Sequence, residues 1–225
     1  MPVTGTNAVV DISHFQGSPD FDRVAAAGIV GVIHKATDGI TWSDPNFAAN
    51  RDAINAAGLF FGSYHFGRQE DGAAQAANFL KVASPQPGDL LVLDFEQPPH
   101  AEPAMTTDQA RAFVQAVQAA TGVFPGLYGS PAFLTASVGT TPDPVLGNCW
   151  LWIAQYKASI SSPTVPTAWP AWTLWQYTNG VVGSQPMSVD GIAAGCDRDT
   201  FNGTSDQLAS FWEINSVPEP ATDSN

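Results

Sequence analysis

The chain has 225 residues, with 8 Lys and Arg against 21 Asp and Glu, giving a formal net charge of −13. Hydrophobic residues at 44% and charged residues at only 13% supply a sizeable core and exclude a disordered chain. An acidic chain of pI near 4.3 without a Lys/Arg cluster excludes nucleic acid as a partner and disfavours anionic lipid, and no apolar run approaches the roughly 18 residues of a transmembrane helix.

In chain order, short apolar runs alternate with capped helical stretches. Strands are predicted at 8–12, 30–35, 59–66, 90–95, 126–129, 150–156 and 173–178, with a short eighth ending near Asp197. Helices are predicted at 21–27, where Gly28 stops the first, and at 45–57, 72–83 and 107–121. The second of these has Asp44 to cap its amides, Pro45 for its first turn and Gly58 for its left-handed stop. Thr106 with Gln109, and Thr204 with Gln207, have the spacing of capping boxes. Segments 158–170 and 179–195 are rich in Ser, Pro and Gly and read as loops or hairpins. Eight continuous strands joined by helices predict an α/β fold, a single β/α barrel of the TIM type whose last third is irregular and poor in helix. An open doubly wound sheet is the alternative, weakened because no Gly-rich phosphate loop follows the first strand. Residues 1–215 form the expected catalytic domain, and 216–225 an acidic flexible tail or linker stub. Cys149 opens one strand and Cys196 closes another, so the two thiols are expected at opposite barrel ends and free.

In such a barrel the active site lies at the C-terminal ends of the strands, so polar residues that close apolar runs are candidates. Asp11, Lys35, Asp94 and Asp197 sit at such ends, with Glu96 just beyond. Alternation along a strand puts Asp94 and Glu96 on one face, their α-carbons roughly 6.5–7 Å apart, and Phe95 on the other. Two carboxyls at that spacing suit glycoside hydrolysis, where retaining enzymes hold the pair about 5–5.5 Å apart and inverting ones about 6.5–9.5 Å. Aromatic residues crowd the stretch from Trp150 to Tyr177, half of them expected to be core and half to offer flat faces to sugar rings. His14, His34 and His65 fall into no metal-binding spacing, and neither Ser63 nor Ser130 sits in a nucleophile elbow. No metal or cofactor is expected.

These residues lie in blocks that resemble the family 25 glycoside hydrolases, the lysozymes that cleave peptidoglycan at N-acetylmuramic acid. The blocks are VVDISHFQG (9–17), HKATDG (34–39), DPNF (44–47), GSYHF (62–66), LDFE (93–96), LYGS (127–130), LWIAQY (151–156), LWQYT (174–178) and CDRDTF (196–201). The resemblance implies a barrel, retaining β-1,4-N-acetylmuramidase activity, and Glu96 as general acid/base. It implies that Asp94 stabilises developing charge during covalent or acetamido-assisted attack, with Asp11 and Asp197 as the remaining acids of the pocket. Tyr64, Lys35, Tyr128, Trp152, Gln155, Trp175 and Gln176 correspond to pocket or subsite positions. Tyr64 or Tyr128 is expected to supply the hydrogen bonds that keep Asp94 ionised. The chain departs from the family pattern at Asp38, where Glu is usual, at Phe15, where Trp or Tyr is usual, and at Cys196 and Asp199. A non-catalytic wall-binding barrel and a different retaining hexosaminidase or chitinase are the competing assignments. The implied partner is the glycan strand of peptidoglycan, met by a monomer outside the plasma membrane. The first residues lack a signal peptide's charged and apolar regions, which leaves a phage-type endolysin or a secreted enzyme without its leader.

Overall fold

Strands that are apolar at successive positions need cover on both faces, and a parallel barrel ringed by helices provides it. The computed structural model, which describes residues 3–193 and 195–220, has this architecture. Its elements are β1 (Thr6–Ile12), α1 (Phe21–Ala26), β2 (Gly31–Asp38), β3 (Trp42–Ser43), α2 (Phe47–Ala56), β4 (Phe60–Phe66), α3 (Gly72–Ala83) and β5 (Leu90–Asp94). There follow α4 (Thr107–Thr121), β6 (Gly126–Gly129), α5 (Pro131–Val138), β7 (Leu151–Ala154), β8 (Leu174–Asn179), β9 (Asp197–Phe201) and α6 (Ser205–Asn215). β1, β2, β4, β5, β6, β7 and β8 pair in that order, each parallel to the next, while β3 is a short hairpin partner of β2.

β9 lies antiparallel to both β8 and β1 and closes the ring. This corrects the last expected strand, since Asp197 begins it and does not end it. Reversal puts the N-terminal end of β9 on the rim formed by the C-terminal ends of the other strands. Asp197 therefore reaches the expected rim through the opposite strand direction.

Two cores follow from the alternation of side chains. Along β5, Leu90 and Val92 enter the barrel interior, whereas Leu91, Leu93 and Phe95 join the layer beneath the helices. Phe95 meets Phe133 of α5 edge-on, with ring centroids 5.0 Å apart. At the opposite end of the barrel from the rim, Leu208 and Trp212 of α6 belong to the interior cluster. The Trp212 indole stacks on Phe60, its centroid 5.4 Å away, and its Nε1 donates to the Phe61 carbonyl at 3.2 Å. A β-carbon on Gly31 would lie 2.7 Å from this ring, so the start of β2 has to be glycine for the plug to seat.

The capping boxes at Thr106/Gln109 and Thr204/Gln207 are both formed and open α4 and α6. α2 begins later than expected because Asp44 is otherwise engaged. One of its oxygens accepts from the Asn46 amide, and the other from both the backbone and the ring nitrogen of His14. Asp44 thus ties the loop after β1 to the turn before α2. The unpredicted α5 is short and shows no amphipathic stripe, although Ser130 caps it and Pro131 occupies its first turn. Among the described residues no helix lies between β7 and β8 or between β8 and β9, in line with the helix-poor last third. Cys149 and Cys196 are buried and free. They precede a parallel and a reversed strand respectively, and so lie toward opposite ends. Val217, within the segment expected to be a flexible tail, exchanges backbone hydrogen bonds with Gly88 and Asp89; residues 221–225 lie outside those described. Among the described residues no helix is long and apolar enough to cross a membrane.

Truncating the plug tests the importance of this end of the barrel. Trp212→Ala is expected to cost about 3–5 kcal/mol in urea unfolding, the usual range for removing a buried aromatic side chain, whereas Phe15→Ala, at a side chain 80% exposed, should change stability by no more than about 0.5 kcal/mol.

Candidate active site

The strand ends converge on a cavity of about 240 Å³ at the rim. All four expected acids line it: Asp11 from β1, Asp94 and Glu96 at and just beyond the end of β5, and Asp197 from β9. Lys35, Tyr64, Tyr128, Trp152 and Gln176 line it too. Phe95 turns outward between the two β5 carboxyls, as alternation requires.

Trp175 and Gln155 are not brought to this pocket. Trp175 is fully buried on the outer face of β8, and its Nε1 donates to the Gln155 carbonyl at 2.9 Å. Its neighbour Gln176 faces inward, so strand alternation forbids both from entering the cavity. Gln155 follows the last residue of β7 and bonds through its side chain to Thr164 in the loop beyond. It lines a separate shallow surface with Ser130 and Lys157.

Residues beyond those expected also line the cavity. Ile12, Ser13, Phe15 and Gln16 come from the end of β1 and the turn after it, where Ser13 and Gln16 cap each other's ends. Phe66 comes from the end of β4, and Tyr156 from just after β7. Ser13 with Gln16 has the spacing of a capping box, a sequence signal that places this turn against the strand end. Asp199 lies behind the cavity wall, fully buried; its position two residues from Asp197 in a strand is a signal for the same face.

The electrostatics are dominated by burial of like charges. Burial pushes the Glu96 carboxyl up to about 7, against the pull of Lys35 and with a further push from Asp197. Asp94 is raised well above the ordinary carboxylate range by burial and by the Glu96 charge, with Lys35 again opposing. Asp197 rises to about 6 through burial. The Lys35 ammonium lies 4.6 Å from the centre of the Phe66 ring and donates to Asp38 at 3.0 Å. Asp38, paired also with Arg68 at 2.6 Å, is held below its usual range despite burial.

The expected tyrosine donors to Asp94 are absent. The Tyr128 hydroxyl donates to Gln176 Oε1 at 2.7 Å instead, and Asp94 Oδ1 has no hydrogen-bond partner among the described residues. Asp94 and Glu96 consequently act as a pair that retains a proton near neutrality, with Lys35 as the facing counter-charge. His34 and His65 are core residues whose ring nitrogens bond to Asn50 and the Lys35 carbonyl, and to Thr37 and Gln75. Burial holds His65 down at about 4. Among the described residues no three His, Cys, Asp or Glu side chains are grouped to hold a metal ion.

A buried carboxyl pair beside an aromatic wall is the apparatus for protonating a glycosidic oxygen while supporting charge at the adjacent carbon. Comparison with known proteins points the same way. The family model described as glycosyl hydrolases family 25 matches residues 10–184. The chain is 31% identical to lysozyme M1 of Streptomyces globisporus, over 88% of this chain and 69% of that protein. It is 30% identical to the N,O-diacetylmuramidase of Chalaropsis, over 88% of this chain and 95% of that one. Among solved structures, the bacterial lysozyme of Streptomyces coelicolor superposes with a TM-score of 0.81 at 30% identity, covering 95% of this chain and 99% of that one.

The raised carboxyls carry a stability signature. A group whose folded pKa exceeds its unfolded value contributes stability in full below the unfolded pKa, and loses it as pH rises through the folded one. With Asp197 at about 6 and Glu96 at about 7, the midpoint of thermal unfolding should fall between about pH 5 and about pH 8. A midpoint that is flat or rising over that range would contradict the proton-holding pocket.

Proposed function

The chain belongs to the glycosyl hydrolases of family 25, and from that premise we propose that the pocket cuts the β-1,4 bond between N-acetylmuramic acid and N-acetylglucosamine with retention at the anomeric carbon. It is a lysozyme, a hydrolase of peptidoglycan. The observation that carries the mechanism is the placement of Asp94 and Glu96 on one cavity wall, where burial pushes the Glu96 carboxyl up to about 7.

Glu96 delivers its proton to the glycosidic oxygen as the bond from that oxygen to the anomeric carbon breaks, and the bonding electron pair leaves with the oxygen. Asp94, buried beside it, supports the positive charge that develops on the sugar ring. It does so by bonding to the anomeric carbon itself or by accepting the N–H of a 2-acetamido group whose oxygen attacks that carbon. The Glu96 carboxylate then takes a proton from the water that displaces this bond, which restores the acid and leaves the β configuration. Lys35 keeps the resulting charge tolerable, since it faces both carboxyls. Tyr128, Trp152 and Tyr156 form an aromatic side of the pocket against which a sugar ring packs.

Asp11 and Asp197 complete the polar wall opposite. A wall-binding barrel without catalysis has no use for four carboxyls at the rim, each expensive to bury unpaired. The cavity is complete within one chain, consistent with a monomeric enzyme. Its substrate lies outside the plasma membrane, so it acts on the wall outside that membrane.

Glu96→Gln removes the transferable proton and keeps the shape, so turnover of cell walls should fall by about a hundredfold or more while the protein stays folded by circular dichroism; near-wild-type turnover by a folded variant would remove Glu96 from this role. Proton NMR of the early product should show the β anomer at the new reducing end before mutarotation. Initial α product would overturn retention.

A further inference from the structure

β9 brings a fifth carboxyl to the pocket that the mechanism above does not use. Asp199 lies opposite Val9 of β1 and Gln176 of β8, one inward-facing position deeper than Asp197, and its exposure is 0%. Its Oδ1 accepts from Trp152 Nε1 at 2.7 Å, whereas Oδ2 is buried with no donor among the described residues. Oδ2 is not facing an apolar wall, because the side chain meets the carboxyl of Asp11 on the neighbouring strand.

The donors around this contact are already committed. Gln176 Oε1 receives the hydroxyls of Tyr128, at 2.7 Å, and Tyr156. The amide therefore presents its NH₂ end to Asp11, where Nε2 donates to Oδ2 at 2.7 Å. Asp11 Oδ2 and Asp199 Oδ1 thus each receive one side-chain N–H, and Asp199 Oδ2 receives none among the described residues. Two ionised carboxylates in contact inside a dry wall repel, and one proton placed between them converts the repulsion into a short charge-assisted hydrogen bond.

We propose that Asp199 and Asp11 share one proton, and that through this bond Asp199 is a positioning residue, holding Asp11 in the orientation it presents to the glycan. The substrate-facing role of Asp11 rests on the function proposed above; the shared proton does not. The charged groups facing the pair are few. Asp197 of the same strand stands beside both and adds negative charge. Arg198, pointing to the opposite side of β9, is engaged with the Ser188 carbonyl and Asn7 and draws Asp199 down only weakly. Burial drives Asp199 to about 8 and Asp11 well above its ordinary range. Below the release of that proton the pair carries one charge. Above it, two carboxylates stand on two N–H donors, and Asp11 is pushed from its bond to Gln176.

The informative variant is Asp199→Asn, which keeps the shape, still accepts from Trp152 and offers Asp11 a permanent N–H. Three readouts follow. The infrared difference spectrum, wild type minus variant, should show at neutral pH the C=O stretch of a protonated carboxyl that disappears at alkaline pH. The folding equilibrium constant of the wild type should fall relative to the variant by up to about tenfold per pH unit between about pH 5 and about pH 8. KM for soluble glycan should rise at alkaline pH in the wild type and stay level in the variant, whereas the kcat limb set by Glu96 is common to both. Parallel stability curves with no difference band would mean that Asp199 only receives the Trp152 N–H, and would overturn the shared proton. The spectrum and the stability curves need no substrate, so they succeed or fail independently of the muramidase assignment.

Discussion

The reversed pairing of β9 with both β8 and β1 is the constraint on which the site depends. Seven parallel strands present their C-terminal ends on one rim, and a parallel eighth would have carried Asp197 to the opposite end of the barrel. Running backwards, β9 places Asp197 on that rim and Asp199 beneath it. The same strand packs Phe201 toward the far end, where α6 inserts Trp212 against Gly31. Closure, plug and cavity wall are consequently mechanically continuous.

That closure gathers Asp11, Asp94, Glu96, Asp197 and Asp199 around one small cavity with Lys35 as the cation that lines it. The fold tolerates the concentration in two ways. Protons remain on carboxyls that would be ionised in water, and a chain of neutral donors, from Tyr128 and Tyr156 through Gln176 and from Trp152, reaches the carboxyls on the β1 and β9 side. Asp94 and Glu96 receive little such help, and this asymmetry separates the pair proposed to donate the proton from a polar wall. The overall charge of −13 has the same origin only in part, since acidic residues such as Asp20, Asp52, Asp71 and Glu213 are exposed on the outer surface.

Most of this architecture was legible in the chain because buried parallel strands are apolar at every position, and Leu90 to Leu93 can be read no other way. The carboxyl pair was legible for a related reason, since the two-residue period of a strand binds Asp94 and Glu96 to one side. The direction of β9 was not: D-R-D-T-F is short and polar, and its orientation is set by partners about 20 and nearly 200 residues away in sequence. The family blocks place Trp175 at the pocket, although strand alternation gives the inward position to its neighbour Gln176. Gln155 was misplaced because β7 ends at Ala154, after which alternation carries no information. The tyrosine donors expected for Asp94 were lost to Gln176, a competition between side chains that no local pattern encodes.

The central claim, that this pocket recognises the muramic acid side of the scissile bond, is tested most directly by the chemistry of the ends it creates. Purified peptidoglycan digested by the protein, reduced with borohydride and hydrolysed to its sugars, should yield muramitol as the new reduced residue in mass spectrometry. Glucosaminitol in its place would contradict the account and assign the same carboxyl pair to a glucosaminidase or chitinase.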